Sequence, residues 1–232
     1  MPVIVDKFID KSILSTLEEN DITYYKTASL DYLYKPVNTH PDMQIHFVDD
    51  STAVVAPDVF EYYKNLLPAG IMILKGKKNP GRTYPEDTAY NVAKVGKRII
   101  GRHASLEVVI KEIYTQKGYD FVDVKQGYAK CNLCIVDENS VITEDEGLCN
   151  ALTKTGIDVL KIQAGAVMLP GFKNGFLGGA SGFVSKNKLA FCGNLENHPD
   201  SDKIFDFVKS KNVDIIQLSS TKLCDYGSIL NF

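Results

Sequence analysis

Five times along this chain a helix-like stretch ends in a small residue and gives way to a short apolar strand. The copies read NDITYY from Asn20, AGIMIL from Ala69, GYDFVDV from Gly118, GIDVLKI from Gly156 and NVDIIQL from Asn212. Three of them place an Asp two residues after the Gly or Asn, at Asp120, Asp158 and Asp214. Steps of roughly 40 to 55 residues mark an internal repeat, and a repeat restricts the architecture more than any single element does. Five similar units in a closed ring create a central site that no single unit could form.

Each strand ends a longer unit. Ahead of the helices stand paired apolar runs joined by polar turns: 43–48 with 53–56, 91–95 with 98–101, 131–136 with 140–143, and 181–184 with 189–192. Apolar runs around Asp, Asn, Gly and Ser are hairpin signals. The stretch 106–116 sets Leu106, Val109, Ile110 and Ile113 on one helical stripe. Thr143 with Glu146 resembles a capping box, Ser201 is an N-cap candidate, and Gly118 and Gly156 sit where a helix C-terminal glycine belongs. The unit is therefore strand, strand, helix, strand. The first unit has a strand at 2–5, a helix around Lys11 to Glu19 and a strand at 21–26, but no leading strand; the chain ends with a lone one at 227–232. The expected fold is an α/β five-unit propeller, residues 1–232 as a single domain, with the C-terminal strand completing the N-terminal unit and shutting the ring. Such closure removes exposed edges; an open α/β sheet is the alternative.

Composition narrows the function. At 44% hydrophobic and 24% charged residues the chain is an ordinary globular protein. No apolar run approaches the roughly 18 to 20 residues of a membrane span, and MPVIVDKFID carries no secretory pattern. A net charge of -3 argues against a nucleic-acid partner. The odd count of 5 cysteines points to reduced thiols and a cytoplasmic setting.

Passages between units fall on one face of such a ring: 27–42, 76–90, 126–130, 164–180 and 219–226. They hold His40 and Asp42, Glu86 and Asp87, Lys130, and Cys224 with Asp225. Loops on a rigid scaffold tend to carry function. Aligning Val48, Val136, Val184 and Leu230 puts Asp42, Lys130, Gly178 and Cys224 at equivalent positions six residues earlier, facing an axial mouth together.

A cyclic array of five such units resembles the α/β-propeller (pentein) fold of the guanidino-group-modifying enzymes, which include deiminases, dimethylarginine hydrolases and amidinotransferases. The resemblance implies a cysteine that attacks a guanidinium carbon, a histidine that handles protons, and carboxylates that hold the cation. Cys224, eight residues from the end, matches the nucleophile's place, and Asp42 in HPDMQIHFV matches a carboxylate. The family's His-x-Asp/Glu pair has no counterpart, and Thr221-Lys222-Leu223 stand where its glycines would precede the cysteine. The chain is similar to a branch that lacks the full catalytic motif set.

Each candidate has a plainer reading. Cys224 is either an activated thiol or a small buried hydrophobe. Cys131 and Cys134, three apart on an expected strand, would face opposite ways and have no second pair to complete a zinc site. His198 reads as a turn residue, His46 as a wall residue and His103 as structural. His40 divides between proton carrier and turn residue. Glu86 and Asp87 form either a cation clamp or an acidic turn, and Lys130 with Asp225 either a buried ion pair or a ligand contact. The glycines at 171–182 lack the phosphate-loop order, and close backbone approach suffices to explain them. Two functions emerge. One is a cysteine-dependent C–N hydrolase or amidinotransferase-like enzyme acting on a guanidine or amidine, with Cys224 as nucleophile, His40 as proton carrier, and Asp42, Glu86, Asp87, Lys130 and Asp225 as ligand contacts. The other is an inactive binding module for a small molecule or protein. Either takes a small polar or cationic ligand in the axial pocket, with no cofactor or metal; the oligomeric state is open.

Overall fold

A computed structural model describes residues 1–232. Its strands form five three-stranded sheets, one per repeat. The first unit holds β1 (Val3–Val5), α1 (Lys11–Glu19) and β2 (Tyr24–Lys26). The second holds β3 (Ile45–Asp49), β4 (Thr52–Val55), α2 (Phe60–Leu66) and β5 (Met72–Lys75). The third holds β6 (Ala93–Val95), β7 (Arg98–Gly101), α3 (Val108–Gln116) and β8 (Asp120–Asp123). The fourth opens with a helical turn, α4 (Ala129–Asn132), and continues with β9 (Cys134–Ile135), β10 (Ser140–Thr143), α5 (Glu146–Thr153) and β11 (Asp158–Lys161). The fifth holds β12 (Ser181–Ser185), β13 (Lys188–Phe191), α6 (Ser201–Ser210) and β14 (Asp214–Gln217). The last strand, β15 (Leu230–Asn231), pairs antiparallel with β1 and supplies the leading strand that the first unit lacks.

Within each unit the first two strands are antiparallel and the helix carries the chain back to a parallel third strand. The small residues that end the helices have a shared cause: Asp21, Gly118, Gly156 and Asn212 adopt φ of 55°, 68°, 80° and 56°. That left-handed step reverses a helix into a strand, and Gly, Asn and Asp tolerate it best.

Apolar clusters lie between neighbouring units. Val95 and Ile100 pack with Val141 and Leu148, Ile142 with Phe191 and Ile204, and Val184 and Ala190 with Val3, Ile13 and Leu17. Ile4 and Phe232 share a cluster with Ile45, Tyr63 and Ile110. Each unit thus buries its apolar face against its neighbours, and the fifth also meets the first.

Local details depart from expectation. Asp145, not Thr143, caps α5, its side chain accepting from the Leu148 N–H; Thr143 is fully buried, its hydroxyl donating to Asn132 Oδ1 and accepting from the Asp145 N–H. Asp200 is the N-cap of α6, which starts at Ser201. The strand expected at 131–136 is shortened, because the Asn91 side-chain oxygen Oδ1 accepts from the Lys130 and Cys131 N–H groups and holds them in a helical turn.

Register corrects one expected equivalence. Ile45 faces Val55, Ser181 faces Phe191, and Cys134 faces Ile142, which keeps Asp42, Lys130 and Gly178 at matching positions. In the first unit Leu230 faces Ile4, so Tyr226 rather than Cys224 matches Asp42. The offset of two residues follows from Gly227 and Ser228, both left-handed at φ 71° and 73°, which turn the chain just ahead of β15.

Candidate functional site

The entries to the leading strands bring a set of polar side chains into the protein's interior. His40 stands at the N-cap of a short helical turn at Pro41–Met43, Asp42 lies within it, and the two are 2% and 1% exposed. Asp225 is 2% exposed and stands just before the Gly227 turn. Cys131 projects from α4. Its thiol donates to Asp42 Oδ2 at 3.0 Å and accepts from Asn91 Nδ2 at 3.0 Å. Ser228 donates to the same Asp42 oxygen at 2.9 Å and accepts from Lys130 Nζ at 3.0 Å. Asp225 accepts from the Gly227 and Phe176 N–H groups, and its Oδ1 lies 3.9 Å from His40 Nδ1.

Glycines make this density of groups sterically feasible. A Cβ on Gly179 would strike the Asp225 carboxylate, and one on Gly227 would strike His40. The glycine-rich segment therefore serves close approach, as its sequence suggested.

Electrostatics follow from burial. Loss of water pushes the Asp42 carboxyl up to about 6 and that of Asp225 up to about 7, Asp42's charge adding to the rise at Asp225. Lys130 draws both down, but less than burial raises them. Burial lowers His40 to about 3, so its imidazole is neutral. Two atoms in the cluster, His40 Nδ1 and Asp42 Oδ1, have no hydrogen-bond partner although fully buried. A nitrogen of His40, an oxygen of Asp42 and the sulfur of Cys131 lie within 4.8 Å of one another, the donor set that could hold a metal ion.

Two cavities meet at this layer. One of about 200 Å³ lies between the leading strands beside Asp42, Lys130, His46 and Lys94. The other, of about 120 Å³, is lined by His40, Cys131 and Asp225 with Val37, Met43, Tyr128, Leu169, Phe172, Asn174 and Phe176. Its apolar walls around a few polar groups are typical of a ligand site, at a size below the usual 300–1,000 Å³ of drug-sized pockets. The Cys131–Asp42 hydrogen bond joins the two.

The candidates divide. His40, Asp42, Lys130 and Asp225 gather in this layer. Lys130 bonds Ser228, while Asp225 bonds backbone N–H groups, so the two do not form a direct hydrogen-bonded pair. Asp87 is buried and accepts from Tyr128, which lines the smaller cavity; Glu86 is exposed. Cys224 is 9% exposed, with a weak contact of 4.0 Å to the Asp225 carbonyl. Burial pushes its thiol up to about 11, and the nearby charges of Asp225, Asp6 and Asp10 act in the same direction. His198 accepts from the Asp200 N–H, and His46 bonds Tyr114 at 2.8 Å. Cys131, which reads in the sequence as half of an incomplete metal pair, completes the cluster with Asn91 and Ser228, neither of them singled out in the sequence.

The chain belongs to a family whose model, "Family of unknown function (DUF6873)", matches residues 4–230. No curated protein matches its sequence. Among solved structures it is similar to a mutant of DDAH from Pseudomonas aeruginosa complexed with citrulline, with a TM-score of 0.55 at 8% identity over 94% of this chain and 92% of that one. SxtG, an amidinotransferase from Microseira wollei in the saxitoxin biosynthetic pathway, gives 0.55 at 11% identity over 94% and 88%. The C. jejuni agmatine deiminase with substrate bound gives 0.51 at 12% identity over 99% and 81%. The fold is that of the guanidino-group-modifying enzymes. Shared fold leaves function to be argued from the site.

Proposed function

We propose that this DUF6873 protein binds a small monocation with a guanidine or amidine head in the cavity bounded by His40, Cys131 and Asp225. One observation carries the reading: two buried carboxylates, Asp42 and Asp225, face a single nearby cation, Lys130, which leaves one negative charge unmatched. A buried charge without a partner is costly, so the empty site keeps a proton on the pair. A planar cation with several N–H donors would replace that proton and satisfy Asp42 Oδ1, while the apolar walls would take its alkyl part. The reading includes one domain over 1–232, its five sheets arranged as a ring shut by β15, in a reducing cytoplasm that keeps the five thiols free. Glu86 and Asp87 belong at the rim, Asp87 acting through Tyr128.

Thermal unfolding over a panel of alkylguanidines, amidines and neutral ureas tests this. A ligand at a hundred times its Kd adds about 2.7 kcal/mol, or roughly 5–10 °C for a chain of this size. Guanidines and amidines are expected to raise Tm and Asp42→Asn to abolish the rise. Equal shifts from neutral ureas, or none from any cation, would overturn the reading.

A second reading, a C–N hydrolase or amidinotransferase-like enzyme, is favoured by the proximity of Cys131 to His40 and Asp42. The thiol proton would pass to Asp42 and sulfur would bond the guanidinium carbon. The C–N bond to the departing amine would break as that amine takes up a proton, and water or a second amine would then displace sulfur. A bound cation would favour the thiolate. Cys224 is the competing nucleophile, and amine release by Cys131→Ser and Cys224→Ser variants decides between them.

A further inference from the structure

We infer that His40, Asp42 and Cys131 form a binding site for one zinc-like divalent metal ion, an inference beyond the organic-cation reading. The three donor atoms come from two different units of the repeat, yet lie within 4.8 Å of one another. All three side chains are buried. In a tetrahedral zinc site, bonds of about 2.0–2.3 Å separate neighbouring donors by roughly 3.3–3.8 Å, so side-chain movements on the order of 1 Å would close this set around an ion.

Two further observations point to a ligand. His40 Nδ1 and Asp42 Oδ1 are buried without hydrogen-bond partners, and such groups need an explanation. Two other ligand atoms are already supported from outside. Ser228 holds Asp42 Oδ2, which leaves Oδ1 for a metal, and Asn91 Nδ2 donates to the Cys131 sulfur. Supporting hydrogen bonds of this kind orient ligands in metal sites. Asp225 Oδ1, 3.9 Å from His40 Nδ1, stands within reach as a fourth ligand. The cavity that His40, Cys131 and Asp225 line provides the entry and room for a water.

A mixed nitrogen, oxygen and sulfur set selects a borderline-soft ion over calcium or magnesium, which take oxygen ligands. Binding forms a metal–sulfur bond as the Cys131 thiol releases its proton to solvent, so the ion's two charges meet one thiolate and one carboxylate. Metal and organic cation compete for Asp42.

Titration of chelator-treated protein with cobalt(II), without any organic cation, is the test. One ion per chain is expected, with a thiolate-to-cobalt charge-transfer band that zinc removes. Cys131→Ser should abolish the band, His40→Gln and Asp42→Asn should weaken binding at least tenfold, and Cys224→Ser should leave it intact. No thiolate band, a band retained in Cys131→Ser, or one lost in Cys224→Ser would overturn the site. Should the Cys131 variant not fold, zinc must slow alkylation of Cys131 in the wild-type chain, read by mass spectrometry; an unchanged rate would overturn the site equally. Cobalt binding with a blank guanidine screen would sink only the organic-cation reading, and the reverse result only the metal site.

Discussion

Replacing Asp225 by Asn removes one of the two carboxylates beside Lys130 in the buried layer, and the effect must vary with pH. Burial and the charge of Asp42 raise the Asp225 carboxyl from an ordinary 3.8 to about 7. An acid raised on folding favours the folded state fully only below pH 3.8. That contribution is lost as pH climbs, because the unfolded chain ionises freely while the folded one resists until about 7. The full loss is about 4 kcal/mol, with roughly 2–3 kcal/mol of it falling between pH 5 and pH 8. Asn carries none of this dependence. It also gives one acceptor oxygen in place of two, so the Gly227 or Phe176 N–H loses its partner, a cost of about 1–3 kcal/mol at every pH. Urea unfolding of both proteins at pH 5 and pH 8 separates the two effects. The stability difference should move by about 2–3 kcal/mol in favour of Asn at the higher pH. A difference that is the same at both values would refute the buried, raised carboxylate.

Gly179→Ala drives a methyl into the Asp225 carboxylate and should cost about 1–3 kcal/mol in denaturant unfolding. It should also weaken guanidine binding in the thermal assay; a stable variant with intact binding would show that Asp225 has room. Asp145→Ala removes the cap that accepts from the Leu148 N–H and should cost about 1 kcal/mol. No loss in urea unfolding would return the capping role to Thr143. With its thiol raised to about 11, Cys224 should alkylate at pH 8 about a hundredfold more slowly than a free cysteine. A midpoint at or below about 8.5 would instead mark it as an activated nucleophile.

The repeat was legible because its signals are local. A left-handed residue at a helix end, an alternation of apolar runs and a polar hairpin turn each need only neighbours in sequence, so the five third strands and four hairpins could be read directly. That His40, Asp42, Lys130 and Asp225 come together could be read because they sit at the entries to leading strands. Expected strand geometry set Cys131 aside, since its actual conformation depends on Asn91 from the preceding unit, which turns the expected strand into a helical turn. Cys224 was placed two residues out of register because the paired left-handed Gly227 and Ser228 leave no clear periodic trace. A signal for the missed partners does exist. Gln44, Asn91, Asn132 and Ser228 each stand one residue before the matching strand position, and all are buried. A polar residue recurring at an interior position of four units marks a hydrogen-bonded layer.

The central claim is that a cation replaces a proton shared by Asp42 and Asp225, and calorimetry in buffers of different ionisation enthalpy tests it directly. Methylguanidine titrated into the protein at pH 6 to 7 should show a heat that depends on the buffer, with proton release that fades above about pH 8, where the pair is already ionised. Asp225→Asn should reduce that release. Binding with no buffer dependence at any pH, or no binding at all, would contradict the account.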